Sequence, residues 1–139
     1  MTNPPPCTAM LARKFARRVS ARYDEALKPH GLTIGQFGIL AQLRRSRGQA
    51  LGAVATLLGP DASTLSRLGR PLERAGLVTA EADPCDRRVR LLRLTDAGAA
   101  RTRAAYAAWE AANADVATRL GADRVAALHA DVGAATDQL

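Results

Sequence analysis

The sequence predicts a mainly α-helical single domain with one small β-hairpin. Three observations lead there. Apolar residues recur at helical spacing through most of the 139 residues. One short alternating stretch, broken by a charged turn, interrupts them between residues 77 and 94. No apolar run approaches the ~18–20 residues of a membrane-spanning helix, and the length fits one domain.

Taken in order, "TNPPP" over residues 2–6 reads as a loose leader. Met1 to Pro6 lacks a basic segment followed by an apolar one, so no signal peptide and a cytoplasmic protein are expected. A first helix is expected from Thr8 to about Lys28. Leu11, Phe15, Val19, Tyr23 and Leu27 fall at i, i+4 spacing, and Pro29 and Gly31 stop it. Thr33-Ile34-Gly35-Gln36 has the form of a capping box. It opens a second helix to about Arg45, with Ile34, Phe37, Leu40 and Ala41 on one side. A short apolar helix follows over 51–58, ended by Gly59-Pro60.

Asp61 is a plausible N-cap for the next helix. There Leu65, Leu68, Leu72 and Ala75 form one apolar stripe, while Ser63, Ser66, Arg67, Arg70 and Arg74 point the other way. Pro71 lies inside this pattern, so the helix is either kinked or in two pieces. Gly76 is expected to end it. Leu77 to about Glu81 and Val89 to Leu94 read as two strands around a turn at 83–87. Asp96 to about Leu120 reads as one long helix. Gly121 interrupts, and Val125, Leu128, Val132 and Ala135 mark a last one.

The central order is helix, short helix, turn, two-faced helix and hairpin. That is the order of a winged helix-turn-helix, in which the second helix enters the major groove. Such a helix needs short polar and bidentate groups on its solvent face. Ser63, Thr64, Ser66, Arg67 and Arg70 are of that kind, because Arg can bridge O6 and N7 of guanine and Ser or Thr can bond phosphates or bases. The hairpin carries Asp86, Arg87 and Arg88 at its tip. An Arg there can enter a minor groove, and a neighbouring carboxylate can fix its guanidinium by a bidentate pair.

Charge agrees with a polyanionic partner. The chain carries 20 Lys and Arg against 13 Asp and Glu, a net +7. The excess lies in residues 1–60, at +7, while 61–95 carry +2 and 96–139 carry −2. Eighteen of the basic residues are Arg, which suits phosphate and guanine and also fits a G+C-rich genome. Cys7 and Cys85 form no metal or disulfide pattern and read as free thiols. A Gly-rich phosphate loop, a nucleophile elbow and a close His/Asp/Cys set are all lacking, so no enzyme is expected. With two histidines and no carboxylate–His cluster, no metal site or cofactor is expected either.

Three stretches together resemble the MarR family of bacterial winged-helix transcription regulators. "YDEALKPHGLTIGQFGILAQL" (23–43) is similar to the end of the family's first helix and its second. "STLSRLGRPLERAGLV" (63–78) is similar to its recognition helix. "DRRVRLLRLTDAG" (86–98) fits its wing signature, with Asp86, Arg88, Leu94, Thr95 and Gly98 each on a signature position. The resemblance implies homodimers paired through residues 8–30 and 96–139, with 33–95 as the winged helix-turn-helix. It also implies binding to palindromic double-stranded operators, usually as a repressor, with release by a small ligand or an oxidant.

Some family members sense oxidants through a Cys near the start of the first helix, which makes Cys7 a candidate redox sensor. The positive end of a helix favours negative charge there. Cys85 lies in the wing turn, where oxidation would disturb Arg87 and Arg88 directly. Tyr23, His30, Phe37 and Trp109 are candidates for a pocket taking a phenolic or anionic effector; His30 is more often an ordinary loop residue. The reading from another class is a winged-helix protein-interaction module without specific DNA binding, which the basic residues on the helix and wing oppose.

Overall fold

The computed structural model describes residues 5–139, apart from the side chain of Ala62. The leader expected over residues 2–6 lies largely outside them. The described chain divides into two compact units. A helical unit takes the residues up to Ala26 together with 108–139, and a winged unit takes 27–107. Among the described residues, no helix is long and apolar enough to cross a membrane.

The helical unit contains α1 (Thr8–Leu27) up to Ala26, the second half of α5 (Asp96–Leu120), and α6 (Ala122–Asp137). The apolar stripe of α1 is only partly covered. Leu11 and Phe15 are exposed, and Val19 and Tyr23 are half-buried. On α6, Val125 and Leu128 are half-buried, but Val132 and Ala135 face solvent, so the stripe predicted there is not a core in this chain alone. Ala112 is the one buried residue among those described in this unit.

The winged unit holds nearly all of the core. α2 (Ile34–Gln42) opens on the predicted capping box. The Thr33 hydroxyl accepts from the Gln36 N–H at 3.2 Å, and Gln36 Oε1 accepts from the Thr33 N–H at 3.0 Å. The helix is shorter than the sequence predicts. Leu43 turns extended and buries its side chain, and the carbonyl of Arg44 accepts from the Leu94 N–H at 3.1 Å. That tertiary bond takes the chain out of the helix and along the sheet. Ala41 is exposed and Ile39 is buried in its stead.

A two-residue strand, β1 (Gln49–Ala50), was not expected from the sequence. It leads into α3 (Leu51–Leu58) and then α4 (Ala62–Arg74). β2 (Val78–Ala82) and β3 (Arg90–Leu94) complete an antiparallel sheet of order β1-β3-β2. Both hairpin strands begin one residue later than predicted. The largest fully buried side chains among the described residues are Leu27, Ile39, Leu40, Val54, Leu65 and Leu72. They pin α2, α3 and α4 together, which fixes α4 beneath its exposed face.

Candidate nucleic-acid interface

α4 starts cleanly because Asp61 caps it. The Asp61 carboxylate accepts from the Thr64 N–H at 2.7 Å and from the Ser63 hydroxyl at 2.8 Å. The Thr64 N–H above all, then the Ser63 hydroxyl, holds the Asp61 carboxyl below the usual Asp range, so it is ionised at neutral pH. Pro71 lies within one continuous helix. The predicted stripe needs one correction. Leu65 and Leu72 are buried and Leu68 is half-buried, but Ala75 is exposed. The helix ends at Arg74, and Ala75 sits beyond its last turn as the C-cap. Gly69 occupies the inner position instead. Gly76 follows with φ of 71°, the left-handed step that lets the Leu77 N–H return to the Leu72 carbonyl at 2.9 Å.

The outer face of α4 carries Ser63, Arg67, Arg70 and Arg74, all exposed, with Thr64 and Ser66 half-buried beside them. Arg67 Nη2 donates to the Thr64 hydroxyl at 3.2 Å, which lays its guanidinium along the first turn. Arg70 has no acidic partner among the described residues. Its five donors are open to an external acceptor.

The wing tip is an ordered turn. The Asp83 N–H donates to the Val89 carbonyl, and the Val89 N–H to that of Asp86, both at 2.9 Å. Asp83 accepts from the Cys85 N–H at 2.7 Å. Asp86 accepts from both the backbone N–H and Nε of Arg88 at 3.1 Å, while Arg88 Nη2 lies 3.4 Å from its second oxygen. That is the orienting pair expected from the sequence. The Arg88 side chain is 91% exposed, so the pair fixes direction without hiding the charge. Arg88 is also what holds the Asp86 carboxyl below the usual Asp range. Arg87, beside it, is exposed and has no acidic partner among the described residues.

The root of the wing is tied to α4 and α5 by the residues of the L-T-x-x-G signature. The Thr95 hydroxyl donates to the Gly76 carbonyl at 2.7 Å and accepts from the Gly98 N–H at 3.0 Å. The Thr95 N–H donates to the Leu77 carbonyl at 3.1 Å. A Cβ on Gly98 would run into that same Leu77 oxygen. Thr95 thus caps α5 and staples it to the end of α4, and the approach is so close that only glycine fits at 98.

Among the described residues, three ion pairs in this unit are not visible in the sequence. Arg90 pairs with Glu73, Arg93 with Glu81, and Arg45 with Asp96. Their partners are far apart along the chain, so no local spacing announces them.

The other predicted residues are divided between the two units. Tyr23 lies in the helical unit, where its hydroxyl donates to Asn113 Oδ1 at 2.8 Å and burial pushes its phenol above the usual Tyr value. Trp109 is half-buried on α5 in the same unit. His30 and Phe37 belong to the winged unit. The His30 carbonyl accepts from Arg101 Nη1 at 3.1 Å, and Phe37 is buried in the core. A cavity of about 160 Å³ within the helical unit is lined by Tyr23 together with Phe15, Val19, Asn113, Leu128 and His129. Cys7 is exposed at the very start of α1, its carbonyl accepting from the Leu11 N–H at 3.0 Å, and Cys85 is exposed in the wing turn. No group of three or more His, Cys, Asp or Glu that could hold a metal occurs among the described residues.

The comparisons with known proteins point the same way. The model of the MarR family matches residues 32–89. A protein described as a transcriptional regulator for the hcr operon of Thauera aromatica is 29% identical over 86 residues. The match covers 62% of this chain, which spans only about half of that relative, 48% of its length. The transcriptional regulator MosR of M. tuberculosis is 31% identical with a TM-score of 0.79, over 96% of this chain and 97% of that one. MosR has also been seen in complex with DNA, at 32% identity and the same TM-score, over 96% and 98% of the two chains. CouR from Rhodococcus jostii RHA1, seen bound to p-coumaroyl-CoA, is 27% identical with a TM-score of 0.69, over 89% and 87%. The family match across the winged core and the near full-length likeness to a regulator settle the class: this chain belongs to the MarR family of transcription regulators and is not an enzyme.

Proposed function

We propose that this protein is a homodimeric cytoplasmic repressor. It binds a palindromic operator and leaves it when a small effector or an oxidant acts. The observation that carries this reading is the set of exposed guanidinium groups on one unit: Arg67 and Arg70 on α4, and Arg87 and Arg88 on the wing, with Asp86 aiming Arg88. In this reading Ser63, Thr64, Ser66, Arg67 and Arg70 face the major groove. Arg87 and Arg88 reach the minor groove. A two-fold dimer presents two such helices to successive major grooves, ~34–36 Å apart.

The dimer is supported by the helical unit. It buries a single residue among those described yet leaves Met10, Leu11, Phe15 and Val132 exposed, a surface that a second copy would cover. An effector with an aromatic, anionic character is supported by CouR, which has been seen with p-coumaroyl-CoA.

The test is fluorescence anisotropy of the purified, reduced protein on duplex DNA from upstream of its own gene, with a scrambled duplex as competitor. Selective, salt-sensitive binding is expected, with an affinity that falls by ~0.9 log units per log unit of salt for each phosphate neutralised. Binding to neither duplex would move the protein to the interaction-module class. Peroxide added to the complex tests the redox branch. If Cys7 is the sensor, Cys7→Ser abolishes peroxide-driven release, and release that persists in that variant excludes Cys7.

A further inference from the structure

The short turn at Ala75 to Leu77 carries the chain from α4 into β2, and Thr95 ties the root of the wing to that same turn. β1 pairs only with Leu91 and Leu92 of β3, so from Arg90 outward the wing is a two-stranded ribbon, the form in which sheet twist is largest, and a tie at that point bears on its tilt. Arg90 lies in the last rung of the ladder before the wing turn, opposite Ala82. Its guanidinium reaches back to the final turn of α4, where Nη2 donates to both carboxylate oxygens of Glu73, at 3.0 and 3.2 Å. The Glu73 side chain is 29% exposed and that of Arg90 48%, so this pair is the more enclosed of those in the winged unit.

We propose that Glu73 and Arg90 form a latch that sets the angle between the recognition helix and the wing. The latch thereby fixes the distance between the groups that face the major groove and those that face the minor groove. Both are positioning residues: they act on the operator through Arg67, Arg70, Arg87 and Arg88. The inference rests on the DNA-binding reading above and names a determinant of its specificity.

Electrostatics alone predicts the opposite behaviour. A carboxylate on a DNA-binding helix repels phosphate, and an Arg released from it becomes one more phosphate contact. On that account Glu73→Gln binds every duplex more tightly and steepens the salt dependence. A latch predicts that Glu73→Gln weakens binding to the operator while binding to a scrambled duplex holds or rises.

The experiment measures anisotropy with the upstream duplex and its scrambled counterpart, for wild type, Glu73→Gln and the reversed pair Glu73→Arg/Arg90→Glu. Thermal unfolding of each confirms the fold. The reversed pair keeps the wild-type net charge. Glu73→Gln is expected to lose about fivefold in operator affinity, the upper end for a half-exposed ion pair. The reversed pair should recover most of that loss. Operator binding by Glu73→Gln that equals or exceeds wild type would overturn the latch, as would a lowered melting temperature with an unchanged operator-to-scrambled ratio. Wild-type protein that binds no duplex would instead overturn the DNA-binding reading, a result visible before any variant is made.

Discussion

Asp86 illustrates how a residue of the wrong sign can serve a DNA-binding surface. Its charge repels phosphate, but its two oxygens take the Arg88 backbone and side chain together and hold an otherwise exposed guanidinium in one direction. Arg88→Ala is therefore expected to weaken operator binding by about 1–3 kcal/mol, the scale of one good Arg contact. Asp86→Asn should also weaken it, by less, although a negative charge has left the interface. Titrations of both variants against one duplex decide this, and a gain in affinity for Asp86→Asn would show that aim does not matter. Asp61 acts on the helix instead. Its carboxyl sits below the usual Asp value in the folded chain, so its contribution to stability is present above that value. It is lost as the pH falls through the lowered folded value. Asp61→Ala should accordingly melt at a lower temperature than wild type at pH 7, with the gap closing in acid below the usual Asp range. Parallel melts across that window test it.

Among the elements, the ones marked by local composition, spacing or stop signals were legible and the ones made by tertiary contact were not. α1 could be bounded from apolar spacing and its stop signals, α3 and α5 from composition and the glycines that end them, and the Thr33 capping box located the start of α2. The end of α2 could not, because the bond from Leu94 to the Arg44 carbonyl comes from a strand 50 residues downstream. β1 has only two residues, too few to show an alternation. The same limit applies to the site. Asp86 and Arg88 are neighbours and could be paired by eye, whereas Glu73 and Arg90 meet only after the hairpin has folded back. The L-T-x-x-G signature falls between these cases: its letters are visible, but its reason is the junction of α4 and α5. Gly98 must have no side chain because the Leu77 carbonyl occupies that space. Gly98→Ala should destabilise the winged unit by at least the ~1–3 kcal/mol typical of overpacking, since the neighbour is backbone and cannot swing aside. Denaturant unfolding of the variant measures this, and a stability equal to wild type would mean that the junction relaxes at little cost.

At the level of the whole molecule, the two units differ in how much they bury, and that difference bears on assembly. The winged unit has a core of its own, so its fold does not call for a partner. The helical unit buries Ala112 alone among its described residues while Met10, Leu11 and Val132 stand 67%, 63% and 55% exposed. Charge adds to this. α1 carries Arg13, Lys14, Arg17, Arg18 and Arg22 against Asp24 and Glu25, whereas α6 carries Asp123, Asp131 and Asp137 against Arg124. Helices of opposite net charge and unspent apolar surface suit a pairing of α1 from one copy with α6 from another. The consequence can be tested at Val132. In a monomer, a polar residue at so exposed a position should change stability by no more than about 0.5 kcal/mol. In a dimer closed over that surface, Val132→Asp buries an unpaired carboxylate, so the expected outcome is a shift to monomer in sedimentation equilibrium with the helical content kept. Because a palindrome rewards two recognition helices held at fixed spacing, that monomer should lose operator binding well beyond the loss from any single Arg contact. A Val132→Asp protein that remains dimeric and binds as wild type would place the dimer contact elsewhere. A variant that becomes monomeric yet still binds the operator tightly would show that one winged unit suffices.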